Sequence, residues 1–377
     1  MKLDKIELLN YRNIKKMEIM PCDGINVFYG DNAQGKTNLI EAIWLFTGNN
    51  SFRGAKANEL IMFEQDASSL SINFSDKQRS QKAKMILSAK KKITLNNVEL
   101  KSMAELNGNF YAVVFSPAHL SFIKDGPKNR RKFIDIAVSQ IKPQYESYMQ
   151  RYEKLIDQRN ALLRNANSYK NLETDIEVWN LQLAKIGTIL SIYRNDYVNK
   201  LEILAKKIYE GLSSKRESFS IRYISTVFET IKDVTLYDDD RVLEYETNLK
   251  ANFSADVRQG FTSIGIHRDD LEVFIDGKSV KIYGSQGQQR STVIALKLAE
   301  AMLLKKVTGE NPIMLLDDVM SELDVSRQDY ILNHVRGMQV FITCCDVSNT
   351  LKLNNGCIFK INDGTLQEYC NIEGHKV

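Results

Sequence analysis

The sequence predicts an α/β fold interrupted by a mostly helical second lobe, and three observations carry that prediction. A glycine-containing loop, Gly30-Asp31-Asn32-Ala33-Gln34-Gly35-Lys36-Thr37, joins a short strand to a helix. A second apolar strand far along the chain, Asn311-Pro312-Ile313-Met314-Leu315-Leu316, runs into the carboxylates Asp317 and Asp318. Between them, from about Asn129 to Leu212, Gly becomes rare and apolar residues recur at helical spacing. The expected division is 1–125 and 260–377 for the α/β lobe and 126–259 for the insertion.

The whole chain bounds the answer. Its 377 residues suffice for one large domain or two ordinary ones. Hydrophobic and charged contents of 43% and 26% are those of a globular protein. Lys2, Asp4, Lys5 and Glu7 interrupt any apolar leader, and no apolar run approaches a membrane span. Cys22, Cys344, Cys345, Cys357 and Cys370 form no C-x-x-C pair, which argues against a zinc site or a disulfide framework. These features predict a reduced, cytoplasmic protein with no membrane partner. The net charge of +4 permits a nucleic-acid partner without requiring one.

Taken in order, Leu3, Ile6 and Leu8, a polar turn at Asn10–Asn13, and Met17 and Ile19 predict a hairpin. Gly24–Tyr29 predicts the strand before the loop, and Asn38–Phe46 the helix after it. Further strands fall at Leu70–Phe74, Lys84–Ser88, Ile93–Leu95 and Val98–Leu100, then at Tyr111–Phe115, which is more apolar and stops at Ser116-Pro117. In the helical stretch Leu155, Leu162 and Leu163, then Trp179, Leu183, Ile186 and Leu190, recur at helical spacing. Strand character returns at Ser218–Ile224, a solvated loop at Asp238–Asp240, and a helix through about Phe253. Leu271–Ile275 and Lys278–Ile282, separated by Asp276-Gly277, predict a second hairpin. Trp44 and Trp179 are expected in the core.

The first loop has the phosphate-binding spacing of Gly, four residues, then Gly-Lys-Thr. Gly30 and Gly35 let the backbone bend into a concave nest of N–H groups, and the following helix adds its positive end. Lys36 would neutralise the β- and γ-phosphates, and the Thr37 hydroxyl would ligate Mg²⁺. An apolar strand ending in Asp is how such proteins hold the metal, a role that suits Asp317. Asp318 stands where a carboxylate can orient or deprotonate an attacking water. Alone, the pair would be an acidic turn after a strand; beside the phosphate loop it becomes half of a site.

Ser285-Gln286-Gly287-Gln288-Gln289-Arg290 opens another long helix before that strand. The loop resembles the signature motif of ABC-type ATPases, with Ser285, Gly287 and Gln288 at its Ser, second Gly and Gln, and Gln286 in place of its first Gly. A Ser hydroxyl and Gly amides at a helix N-terminus make a second anion site. Read by itself, Ser285 is an ordinary N-cap.

With these motifs assembled, the sequence resembles the RecF family, recombination-repair ATPases of the SMC-like branch of ABC proteins. The likeness also rests on Asn10-Tyr11-Arg12-Asn13, Phe115-Ser116-Pro117, Gly126-Pro127 and Arg130-Arg131-Lys132-Phe133-Ile134-Asp135. It continues through Gln158–Leu163, Gly265–Asp270 and Leu315–Asp324. The resemblance implies an ABC-type head that binds ATP with Mg²⁺, dimerises with a second copy on ATP, and hydrolyses it slowly. It implies double-stranded DNA and single-strand/double-strand junctions as partners, work with RecO and RecR in recombinase loading, and ties to fork maintenance and the SOS response. By position, Ser321-Glu322-Leu323-Asp324 would be the loop that crosses the dimer interface. Two positions depart from typical ABC enzymes: Asp318 stands for their Glu, and Cys344-Cys345-Asp346 for their switch His.

Rival readings are a transporter motor, an SMC-like structural protein and a phosphate-loop kinase. The first would carry the Glu and the switch His, the second a long heptad arm, and the third no Ser285 loop. The basic group Lys128, Arg130, Arg131 and Lys132 is either a DNA grip or a solvated helix face. Lys90–Lys92 is a weaker grip in a hairpin. His267 is read as part of a packed turn without chemistry.

Overall fold

The computed structural model describes residues 1–231, 236–346 and 356–372. The chain forms two compact units, one of Met1–Leu120 with Arg290–Val377, the other Ser121–Gln289.

The first unit begins with β1 (Lys2–Tyr11), β2 (Ile14–Ile19), β3 (Ile25–Tyr29) and helix α1 (Lys36–Leu45). Strands β4 (Ser68–Ser75), β5 (Ser80–Leu87), β6 (Lys92–Leu95), β7 (Val98–Leu100) and β8 (Ala112–Phe115) follow, then the short α2 (Pro117–Leu120). Hydrophobic alternation along β1, β4 and β5 buries one face, and these strands form the antiparallel sheet β2-β1-β4-β5-β6-β7.

The second unit holds α3 (Pro127–Ile141), α4 (Gln144–Arg164), α5 (Leu172–Asp175) and the long α6 (Glu177–Leu212). After β9 (Phe219–Ile224) come α7 (Asp239–Ala251), α8 (Phe253–Gln259), β10 (Asp270–Ile275), β11 (Lys278–Ser279) and α9 (Val280–Tyr283). Composition alone ends the insertion at 259. Contacts extend this unit to Gln289, because β10 pairs along its length with β9.

One expected strand is corrected here. Asp276 and Gly277 take the positive φ values, 49° and 73°, of a tight hairpin turn, but β11 ends at Ser279. Val280–Tyr283 instead makes a helical turn, closed by the Gly284 amide on the Val280 carbonyl at 3.1 Å. Alternation over five residues does not distinguish a short edge strand from one helical turn. Trp44 is fully buried as expected, whereas Trp179 is only half-buried.

Helix α10 (Gln286–Thr308) leads to β12 (Ile313–Asp317), α11 (Val325–His334), β13 (Val340–Cys344), β14 (Gly356–Asn362) and β15 (Thr365–Ile372). These complete the first unit's other sheet, ordered β15-β14-β3-β13-β12-β8. Its five strands β14, β3, β13, β12 and β8 are mutually parallel, and β15 closes the edge antiparallel. Strands β8, β12 and β13 are buried at every position, as a sheet covered on both faces requires. Phe28 stacks on Phe341 and Phe359 of the flanking strands, with centroids 5.9 and 4.7 Å away. Helix α1 buries Leu39, Ile40, Ala42, Ile43, Trp44 and Leu45. At about 1.5–3 kcal/mol per large apolar side chain, this fixes the helix, and with it the loop at its N-terminus.

Candidate functional site

The glycine loop leaves the C-terminal end of β3, where ligands bind in open parallel sheets. Gly30, Ala33 and Gly35 adopt φ values of 148°, 64° and 107°, so the loop doubles back before α1. Neither glycine admits a side chain: a Cβ on Gly30 would collide with the Ile361 carbonyl, and one on Gly35 would lie 3.0 Å from Asn13 Oδ1. No side chain caps α1, so its first-turn N–H groups remain for an anion. Lys36 Nζ, largely buried, donates to the Gly30 and Asp31 carbonyls at 2.6 and 2.7 Å, which holds it across the loop.

Two neighbouring turns shape this loop. In the β1–β2 turn, Asn13 Nδ2 donates to the Ala33 carbonyl at 3.0 Å, and Asn13 Oδ1 accepts from Asn38 at 2.7 Å. Arg12 forms a two-point pair with the fully buried Glu41, at 2.5 and 3.0 Å, which also accepts from Tyr11 and Ser51. In the β14–β15 turn, the Asp363 amide donates to Gln34 Oε1 and the Gly364 amide to the Gln34 carbonyl. Asn10–Asn13 was legible only as a motif; its work is to brace the loop.

The structure brings Thr37 and Asp317 together, 280 positions apart in sequence: Thr37 Oγ1 donates to Asp317 Oδ1 at 2.8 Å. Strands β12 and β13 pair in parallel with Asp317 opposite Thr343. Thr343 Oγ1 donates to the same Asp317 oxygen at 2.9 Å and accepts the Asp318 amide at 2.9 Å. Burial raises the Asp317 carboxyl above its usual range; the two threonine hydroxyls lower it, Asp318 raises it, and Arg53 lowers it. Asp318, just past the strand, has φ 50°, and Ser321 Oγ bonds its carbonyl at 2.7 Å and its Oδ1 at 3.3 Å. Asp is among the non-glycine residues that tolerate this region, and here it turns the chain at the end of a buried strand. Cys345 Sγ lies 3.0 Å from Asn32 Oδ1, beside the loop.

This donor set suits a hard divalent cation. It offers a hydroxyl oxygen and carboxylates, and a small cation of this kind takes its remaining ligands from phosphate and water. A buried carboxylate that, among the described residues, meets two hydroxyls and no ion-pair partner is electrostatically incomplete.

In the second unit, Ser285 Oγ accepts the Gln288 amide at 3.2 Å while Gln288 Oε1 accepts the Ser285 amide at 2.8 Å, a reciprocal helix cap. Gln288 Nε2 also donates to Glu217 at 2.8 Å. Ser285 is exposed, and Gly287 and Gln288 are half-buried.

The basic group at the start of α3 is corrected in part. Arg130 is only 2% exposed; its guanidinium grips Asp270 at 2.7 and 2.8 Å and the Phe122, Ile123 and Asp125 carbonyls. Arg131 donates to the Asp269 carbonyl at 2.7 Å. The Arg130 guanidinium is therefore taken up inside the unit, while Arg131 is half-buried and Lys128 and Lys132 are exposed. His267 is half-buried, with Nε2 on the Thr262 carbonyl and Nδ1 on Tyr152 Oη, both at 3.1 Å. Among the described residues no helix is long and apolar enough to cross a membrane.

Comparison with known proteins accounts for nearly the whole chain. Residues 2–362 match the family model described as RecF/RecN/SMC N terminal domain. The DNA replication and repair protein RecF of Ruminiclostridium cellulolyticum is 39% identical over 367 residues, covering 95% of this chain and 97% of that protein. That of Alkaliphilus oremlandii is 39% identical over 368 residues, covering 97% and 99%. A solved structure described as the recombination mediator protein RecF-ATPrS in the RecFOR pathway superposes with a TM-score of 0.90 at 35% identity, covering 97% of both chains. Its RecF-ATP counterpart gives 0.88 at 34% identity, over 98% of this chain and 97% of that one. An SMC head bound to a winged-helix domain of ScpA shares the fold, at a TM-score of 0.56 and 15% identity. With a shared ATPase fold and near full-length likeness, the chain belongs to the RecF family of DNA replication and repair proteins.

Proposed function

We propose that this protein is an ATP-dependent DNA-binding protein that acts at single-strand gaps and stalled forks, dimerises on ATP and assists recombinase loading. The observation that carries the ATP half is the meeting of an uncapped helix N-terminus with the Thr37–Asp317 pair and Asp318 at φ 50°. The first unit is the ATPase lobe and the second the inserted lobe. Gly30, Asp31, Asn32, Ala33, Gln34 and Gly35 cradle the phosphates with backbone N–H groups, and Lys36 neutralises them. Thr37 and Asp317 hold Mg²⁺, which when bound screens the phosphate charge. Asp318 accepts a proton from the attacking water; its side chain is one methylene shorter than the usual Glu, which fits slow, DNA-stimulated turnover.

Ser285, Gly287 and Gln288 of a second copy cover the phosphates. Ile282 and Tyr283, 67% and 71% exposed just before Ser285, give that face apolar area to bury. Duplex DNA and its junctions with single strands, with RecR and RecO, are the partners this reading takes from the family resemblance, in the cytoplasm.

The test is sedimentation of the full chain with and without Mg-ATP, alongside binding to gapped and to blunt duplex. The expected outcome is a dimer only with ATP, with tighter binding to gapped DNA. A monomer at saturating Mg-ATP would remove the sandwich, and equal affinity for the two DNAs would remove the gap preference.

A further inference from the structure

We propose that Thr343 is a positioning residue for ATP hydrolysis, which sets both carboxylates of the site through one hydroxyl. The inference rests on Asp317 as the metal-holding group and Asp318 as the proton acceptor. A threonine on a buried strand must bond its hydroxyl, and bonds to nearby backbone are common for this residue type. Here the hydroxyl instead reaches across to the neighbouring strand and uses both its functions there. Its proton goes to Asp317 Oδ1 and its lone pair takes the Asp318 amide, each at 2.9 Å.

Each bond has a separate consequence. Strand β12 ends at Asp317, so the Asp318 amide lies beyond the paired segment and finds its acceptor in Thr343. That bond helps hold Asp318 at φ 50°. The other bond orients the Asp317 carboxylate. Thr37 Oγ1 also gives its proton to Oδ1, so its lone pairs stay available to a cation. Both threonine protons converge on Oδ1, which leaves Oδ2 as the Asp317 oxygen that reaches a metal or its water. Thr343 is fully buried and touches no bound group itself; it acts through the two aspartates.

The test compares the full-length parent with Thr343→Val, which keeps the branched shape without the hydroxyl, and Thr343→Ser, which restores it. Two quantities are read: kcat at saturating Mg-ATP, and the gain in affinity for AMP-PNP on going from EDTA to Mg²⁺, measured by calorimetry without turnover. Thr343→Val is expected to lose about tenfold in kcat. It should also lose about threefold of the Mg²⁺-dependent gain and keep its affinity in EDTA. Thr343→Ser should recover most of both.

Kcat and Mg²⁺ gain both within about twofold of the parent in Thr343→Val, or a Ser variant no better than Val, would overturn the proposal. If Thr343→Val does not fold, Thr343→Ala gives the same reading. Loss of fold in both would overturn the proposal in favour of a purely structural hydroxyl. Asp318→Asn separates the two levels. If it turns over normally, the underlying reading of the site falls; if it is inactive while Thr343→Val is normal, only the role of Thr343 falls.

Discussion

Both units close buried ionisable groups in pairs, as Arg12–Glu41 and Lys297–Glu300 do in the first, but the first unit also holds one that is left open, Asp317. In the second unit, buried arginines have carboxylate partners. Arg194 meets Asp135 at 2.8 and 3.0 Å, Arg159 meets Asp256 at 2.7 Å, and Arg130 meets Asp270 at two points. Carbonyls, tyrosines and threonines take up further donors, such as Ile266 for Arg194 and Thr262 for Arg159. In the first unit, Asp317 instead has two hydroxyls and, among the described residues, no ion-pair partner. A closed pair organises a lobe, whereas an open carboxylate beside an uncapped helix end is a place for something else to bind. Charge burial alone therefore does not mark a site; incompleteness does.

The largest expected effect tests the open side. Asp317→Asn should cut steady-state ATP turnover by about a hundredfold or more. Because burial holds the Asp317 carboxyl above its usual range, its ionised form opposes folding as pH rises through that raised value. The neutral amide escapes this cost, so the nucleotide-free variant should melt at a higher temperature than the parent at pH 7. A variant that is both inactive and less stable would mean that Asp317 is as closed as the arginine pairs.

Next comes the closed side. Arg194→Met leaves the half-buried Asp135 without its cation and the Ile266 carbonyl without its donor, and should cost about 3 kcal/mol in urea unfolding. A loss below about 1 kcal/mol would show that solvent already satisfies that pair. A third measurement uses His267, whose burial, the largest influence, takes its imidazole down to about 4, with Arg268, Arg131 and Arg194 adding to the fall against the Thr262 carbonyl. A base lowered on folding stabilises fully above its ordinary pKa and loses that contribution as pH falls through the folded value. Stability should thus drop by about 3 kcal/mol between pH 6.5 and 4, and His267→Gln should flatten that slope.

The smallest effect is expected at Gly364, with φ 66° and a position where a Cβ would strike the Asn13 carbonyl. Gly364→Ala should cost about 1–2 kcal/mol and weaken nucleotide binding a few-fold, read by titration with a fluorescent ATP analogue.

What was legible in the sequence was whatever is written as local spacing. The phosphate loop, the apolar strand before Asp317-Asp318 and the helical face of the insertion all depend on neighbours within a few positions. Thr343 was not legible, because its role comes from parallel register: it faces Asp317 from 26 positions away, and nothing in Phe341-Ile342-Thr343 announces it. Arg130 shows the converse. A basic run looks solvated from sequence, yet the carboxylate that claims Arg130 is Asp270, 140 positions later.

The brace on the phosphate loop has a consequence for synthesis. Gln34 is held by the turn at Asp363 and Gly364, so the loop near residue 30 has its full set of contacts only once the chain through residue 364 has been made. A ribosome-bound fragment that stops short of this turn carries the motif without the contacts that mould it.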